Sequence, residues 1–308
     1  MSSAMKGWLV TGVLLPPLVW YGNPAVALLI GAALTLSLNR VLVEGGSRYG
    51  KLMLQTAIVL LGLRLGLDQV LTVSADSIEL VIGFVLCVLA VGMLAGHLIG
   101  LDRISTVLLS GGTAICGGTA IATLAPILRA KPEQLAVAIA IVFLLNAVAL
   151  LTFPAIGHWL DLSQTQFGVW AALAIHDTSS VVATAAIYGD EALEVATTVK
   201  LGRTLWLIPV ALGVSLLVRN ERVRVRVPGF ILVFIGMAAV ATFIDLPAIV
   251  TSTATTVSKA LLVGALFFVG TEMTRATVAA IRGRILVHAV GLWLVAIAGT
   301  LTAVRWMI

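Results

Sequence analysis

The chain has 308 residues, 60% of them hydrophobic and 11% charged, with a net charge of +5 and a mean hydropathy of +1.12. Soluble domains carry about 25% charged residues, so this composition excludes one and describes a polytopic membrane protein. Its apolar runs are about 15 to 25 residues long, the length of spanning helices and not of the alternating strands of a barrel, so the fold class is all-α.

Lys6 opens an apolar run to Trp20 that could pass for a secretory signal, but Gly22-Asn23-Pro24 leads straight into another span. It reads as a retained first helix. Hydrophobic segments follow one another at 7–21, 24–39, 51–72, 78–100, 105–129, 134–157, 166–188, 193–218, 229–245, 259–275 and 285–307. If two of these re-enter, the chain has 9–11 membrane segments. Basic residues gather in the connections: Arg40, Arg48 and Lys51; Arg219, Arg222, Arg224 and Arg226; Arg275, Arg282 and Arg284. Asp68, Asp76 and Glu79 are expected in a loop of the opposite sign. Short basic loops are topology signals, so these are cytoplasmic, with the N-terminus cytoplasmic and the C-terminus external. The same placement argues against nucleic acid as a partner and makes the lipid bilayer the large one. A homodimer is compatible with the sequence. Cys87 and Cys116 both lie in apolar segments with nothing to pair them, so they read as free thiols.

The chain reads as one transmembrane transporter domain, 1–308, with an internal repeat of 24–100 in 229–307. A shift of 208 residues carries Lys51 to Lys259, Leu54 to Leu262, Ala57 to Ala265 and Gly62 to Gly270. The charge pattern gives the two copies opposite orientations, and inverted repeats are a transporter signature. A second pair of motifs, in core regions 105–157 and 166–218, matches AICGGTAIATLA from Ala114 with AIHDTSSVVATAA from Ala174, followed by EQLAVA and EALEVA. If both motifs crossed the bilayer they would run parallel; if both are broken and return to their own side, they run antiparallel and RAKPE (129–133) becomes cytoplasmic. Charge and symmetry both favour the broken, re-entrant form.

Gly111, Gly112, Gly117 and Gly118 permit such an interruption, and Thr113 and Thr119 add hydroxyls beside Cys116. Small residues also serve close helix packing, but packing does not explain a second copy carrying His176, Asp177, Thr178, Ser179 and Ser180. Gly112-x4-Gly117 lacks the lysine of a phosphate-binding loop, so no nucleotide site follows. Lys200 and Arg203 stand three residues apart on one helix face, where they either serve a site or snorkel to an interface. Two cations, helix N-termini and hydroxyls converge on a small oxyanion. His176 and Asp177 read as a proton-coupling pair, a metal site or a local ion pair; His97, His158 and His288 lie in other segments, so neither a metal nor a cofactor is expected. Arg64 and Glu272 are equivalent in the long repeat and could pair.

Through GGTAICGGTAIATLAPILRAKPEQLAVAIAIVFLLN (Gly111 to Asn146), FGVWAALAIHDTSSVVATAAIYGDEALEVATTVKLGRTLWL (Phe167 to Leu207) and LLGLRLGL (Leu60 to Leu67) the chain resembles the YeiH-type inner-membrane proteins, a family associated with sulfate export. Gly117-Gly118 departs from the Gly-Ala or Gly-Ser expected there. The resemblance implies an inverted-repeat scaffold with crossing, interrupted helices and transport by alternating access. The sequence therefore points to a secondary transporter exporting a small inorganic or sulfur-containing anion, sulfate, sulfite or a small sulfonate. An anion channel, or an intramembrane enzyme built on His176 and Asp177 with Ser179, Ser180 or Cys116 as nucleophile, are the competing readings.

Overall fold

The structure, a computed structural model, describes residues 3–38, 43, 45–218, 229–271 and 283–308. Every regular element among them is an α-helix: α1 (Ser3–Tyr21), α2 (Pro24–Leu38), α3 (Gly46–Leu61), α4 (Leu67–Leu98), α5 (Arg103–Ala114), α6 (Gly118–Ile127), α7 (Pro132–Trp159), α8 (Gln164–Ala174), α9 (Thr178–Tyr188), α10 (Asp190–Leu205), α11 (Leu207–Val218), α12 (Gly229–Phe243), α13 (Ala248–Gly270) and α14 (Arg284–Met307). Leu67–Leu98, Pro132–Trp159, Asp190–Val218, Ala248–Gly270 and Arg284–Met307 are long and apolar enough to cross a membrane.

Three differences from the sequence reading have local causes. Asp68, Asp76 and Glu79 belong to α4, not to a loop. Asp68 sits in the first turn of α4, where a carboxylate suits the helix dipole. The span at 193–218 is divided at Trp206, because Pro209 has no N–H for the carbonyl of Leu205 and crowds it. Helix α13 begins eleven residues before the apolar run at 259, its early Thr251 and Thr255 hydroxyls bonding back to carbonyls one turn earlier. Glu272, Arg40, Arg275, Arg282 and the four arginines between 219 and 226 lie outside the described residues.

The chain divides into two compact units. One comprises α1, α2, α3, the start of α4, α12 and α13. Here α13 packs on α2 and α3 at close range: a Cβ on Gly31 would meet the carbonyl of Phe267 at 2.3 Å, and one on Gly270 the carbonyl of Leu28 at 2.2 Å. Backbones this near need small residues on both sides. Ser258 Oγ donates to Ala57 O (2.8 Å) and Thr35 Oγ1 to Thr271 O (3.0 Å), tying α13 to both neighbours.

The other unit comprises the rest of α4, α5 to α11 and α14. Within it α5–α6 and α8–α9 are helical hairpins. Asp102, which caps α5 by accepting from Ser105 N–H, also accepts from Gln134 at the start of α7 (2.8 Å), so the outer ends of α5 and α6 lie together. In the second hairpin, Phe167 near the start of α8 stacks on Tyr188 at the end of α9 with ring centroids 3.7 Å apart. Each segment thus returns to the end from which it came.

Two helices measure the distance between these outer ends. Helix α7 starts at the base of the first hairpin through Gln134, and its Gly157 packs against Phe167 and Tyr188 at the base of the second. Its 28 residues span about 42 Å at 1.5 Å each. Helix α14 repeats the measure: Arg284 lies beside Gly100, Trp293 bonds to Ala174, and Arg305 bonds to Leu160 O. The hairpins enter from opposite ends of this unit and meet midway.

Candidate functional site

The meeting point is built from the two turns. Residues Ile115, Cys116 and Gly117 separate α5 from α6, and Ile175, His176 and Asp177 separate α8 from α9. Gly118, Thr119, Thr178, Ser179 and Ser180, read from the sequence as part of the motifs, belong to the returning helices. Gly117 adopts φ 58°, ψ −121°, a conformation only glycine holds without strain. A Cβ there would also meet Val142 Cγ1 at 2.9 Å and His176 Cβ at 3.1 Å. The tips touch at this residue.

Interrupting a helix in an apolar interior strands its last carbonyls, which must then find donors. Gly111 O and Gly112 O are taken by Ile115 N–H (3.1 Å) and Gly117 N–H (2.8 Å). Arg203 supplies the next two, with Nη2 donating to Thr113 O and Nε to Ala114 O (2.8 Å), and Lys200 Nζ reaches Ile115 O (3.4 Å). The same two side chains serve α8. Arg203 Nη1 donates to Ala172 O (2.7 Å) and Leu173 O (2.6 Å), while Lys200 Nζ donates to Ile175 O (2.6 Å) and Ala172 O (3.3 Å). Trp293 Nε1 completes the set on Ala174 O (3.0 Å). Both cations are fully buried, and the Arg203 guanidinium lies over the Phe84 ring at 4.6 Å. Neither snorkels. Their donors are directed at carbonyls at the C-termini of two half-helices, where positive charge also opposes the helix dipole.

The returning helices present the opposite polarity. Asp177 caps α9, its Oδ2 accepting from Ser179 N–H (3.0 Å), Ser180 N–H (3.3 Å) and the Ser179 hydroxyl. Its carboxylate is engaged there and not in a contact ion pair with Lys200 or Arg203. Helix α6 has no such cap: Gly117 offers no side chain, and the first helical bond is Ile121 N–H to Gly117 O (3.0 Å). Gly118 is half-buried and Thr119 exposed, so this N-terminus is open. Cys116 is a buried free thiol beside it, and Cys87 an exposed free thiol on α4.

His176 is buried and faces two groups of other helices. Its backbone N–H donates to Asn146 Oδ1 (3.1 Å), its Nδ1 lies 3.2 Å from the same oxygen, and its Nε2 lies 3.1 Å from Thr113 Oγ1. A backbone N–H can only donate, so the amide atom it meets is the oxygen. Nδ1 must then carry hydrogen, which leaves Nε2 of the neutral ring to accept from the Thr113 hydroxyl. Among the described residues no cluster of three or more His, Cys, Asp or Glu side chains forms.

Asn146, Trp293 and Phe84 belong to this site and were not singled out from the sequence. Asn146 has a signal there, a lone amide within the apolar run AIAIVFLLNAVALL. Trp293 and Phe84 have none, since either would serve equally as lipid-facing bulk.

A chain whose described residues are helical and include five helices long and apolar enough to cross a membrane is a multi-pass membrane protein. The model of the family described as "Conserved hypothetical protein 698" matches residues 18–289. The UPF0324 membrane protein of Geobacter sulfurreducens is 44% identical over 93% of this chain and 92% of its own. Those of Porphyromonas gingivalis and Bdellovibrio bacteriovorus are each 41% identical over 92% of this chain, and over 88% and 89% of theirs. The chain belongs to this family, the YeiH or UPF0324 membrane proteins. No solved structure shows significant similarity to it.

Proposed function

We propose that the protein is a secondary transporter of the inner membrane that exports a small inorganic or sulfur-containing anion, sulfate, sulfite or a small sulfonate, by alternating access. The carrying observation is the pair of hairpin tips, with both sets of stranded carbonyls covered by Lys200 and Arg203 and the N-terminus of α6 left bare. Counting half a charge at each helix end, the two cations, the Asp177 carboxylate and the four half-helix termini leave about one positive charge at the junction. A small anion placed there is drawn by that charge and by free N–H groups. In this reading Lys200 and Arg203 act on the anion through charge and by fixing the tips.

The reading gives the long sequence repeat a role as well, the 24–100 and 229–307 regions forming an inverted pair. The first hairpin's base carries Arg103, Arg129, Lys131 and Arg284 with Asp102 and Glu133, and the second's carries Asp161, Asp190 and Glu191 with Arg305. This contrast supports a cytoplasmic first base. An intramembrane hydrolase fits less well, because His176 faces Asn146 and Thr113 while the Ser179 hydroxyl bonds to Asp177, so neither serine is paired with the histidine.

Purified protein in sealed proteoliposomes loaded with radiolabelled sulfate, sulfite or methanesulfonate tests the proposal. Efflux should saturate, and unlabelled anion should compete. Flux that rises linearly with concentration indicates a channel, and flux no greater than in empty liposomes overturns transport of these anions.

A further inference from the structure

Asn146 Nδ2 is buried with no hydrogen-bond partner, on a residue 2% exposed. A stranded amide N–H costs about 1–3 kcal/mol, so it calls for an explanation beyond packing. Its orientation is not free to relax. Both donors of His176, the backbone N–H and Nδ1–H, converge on Oδ1, and turning the amide over would set Nδ2 against two donors. The bonds that hold Oδ1 therefore hold Nδ2 outward.

Its surroundings are the hairpin junction. Asn146 lies one helical turn beyond Val142 on α7, and Val142 is the side chain that a Cβ on Gly117 would strike. His176, bonded to Asn146, lies against that same Gly117. The amide is therefore placed beside the N-terminus of α6, where the N–H groups of Gly118 and Thr119 precede the first helical bond with no side-chain cap from Gly117. Main-chain donors without a side-chain cap and a buried side-chain donor without a partner occur together where the two hairpins touch.

We infer that Asn146 is an anion ligand, its Nδ2 donating to an oxygen of an oxyanion whose remaining oxygens meet the N-terminus of α6. This rests on the transporter reading and deepens it by naming the ligand chemistry. The proposed donors are all N–H groups, and an N–H cannot accept a proton from the ligand. The site therefore selects fully deprotonated oxyanions, such as sulfate or a sulfonate, over ligands that must donate a hydrogen bond, such as hydrogensulfate or an alcohol. His176 is the positioning residue. It fixes the amide without touching the anion.

The test is equilibrium binding of radiolabelled sulfate to detergent-purified protein, with methanesulfonate and ethanol as competitors. Asn146→Asp keeps an acceptor for His176 but replaces the donor with a carboxylate oxygen; Asn146→Ser leaves a hydroxyl one bond short of the Nδ2 position, which withdraws the donor from the anion without adding charge. Both should weaken sulfate binding by about tenfold or more, the loss of one hydrogen bond to a charged group. Melting in the absence of anion identifies a folded variant, and Asn146→Ser serves if Asn146→Asp does not fold. Methanesulfonate should displace sulfate from the parent protein, and ethanol should not. Binding in either folded variant within about twofold of the parent overturns the assignment, since about 1.4 kcal/mol separates tenfold steps. If the parent exports an anion and its binding is unaltered in the variants, transport stands and Asn146 is dismissed. If the parent binds and transports none of these anions, both readings fall.

Discussion

Three residues decide what the hairpin junction can do. Gly117 is held at φ 58° between Val142 and His176, and Gly117→Ala adds both backbone strain and a steric conflict. Strain of this kind costs about 1–3 kcal/mol. The variant should melt at lower temperature and lose sulfate binding; an unchanged melting temperature would mean that the tips do not approach as described. His176 and Thr113 share a hydrogen whose direction depends on protonation. In the neutral ring, Nε2 accepts from the Thr113 hydroxyl; with a proton on Nε2 that bond reverses, and the ring carries a positive charge beside the proposed anion site. Lys200 and Arg203 from α10 and Asp177 from the same turn face this group, so the anion also supplies a countercharge. Anion and proton should therefore favour one another, and by linkage anion affinity should rise as pH falls. Across about pH 5.5 to 8.5 the parent should show that slope. His176→Ala should flatten it, and Asp177→Asn should reduce it while still capping α9. A slope unaltered in both variants would remove the pair from coupling.

At the scale of elements, the half-helices exist because their stranded carbonyls have donors. Arg203→Met removes the donors from Thr113 O, Ala114 O and Leu173 O together. Breaking buried charged contacts of this sort costs about 3–5 kcal/mol. The variant should unfold at clearly lower denaturant concentration than the parent, as read by tryptophan fluorescence. Arg203→Lys should recover only part, because an ammonium gathers three donors on one atom and cannot span the four carbonyls that the guanidinium fork serves. Equal stability of Arg203→Met and the parent would show that the carbonyls have other partners. Much of this arrangement is legible in the sequence. The apolar runs set the helices, the two glycine- and hydroxyl-bearing motifs mark the interruptions, and an Arg three residues after a Lys marks the cationic face. Pro209 carries the signal for the division at Trp206. What is not legible is the direction of each donor. Lys200 and Arg203 look like anion ligands because a linear sequence shows their charge and not the carbonyls of Thr113 and Ala172, about 90 and 30 residues away, that claim their hydrogens. Asp177 likewise reads as a partner for those cations until the backbone of α9 is seen to start at it. The interruptions made the site predictable; the capping of their ends did not.

For the core unit as a whole, the decisive property is that its two hairpins open toward opposite ends. Helix α7 runs from Gln134 beside Asp102 to Gly157 beside Phe167, and α14 from Arg284 beside Gly100 to Arg305 at Leu160. A helix of about 42 Å exceeds the roughly 30 Å hydrocarbon core, so its two ends reach opposite surfaces. If the tips are the anion site, it lies between two access routes, and alternate opening of these routes moves an anion without a continuous pore. The outer ends can be labelled separately. In a background with Cys87→Ser and Cys116→Ala, the exposed positions Lys131 and Glu191 are replaced by cysteine one at a time. A membrane-impermeant maleimide applied to spheroplasts should modify Glu191→Cys and spare Lys131→Cys, and inside-out vesicles should give the reverse. The reverse pattern in both preparations would invert the protein in its membrane while preserving the opposed hairpins. Labelling of both cysteines from the same side would place both bases on one surface, and with that the opposed entry of the hairpins and the alternating-access reading would fail together.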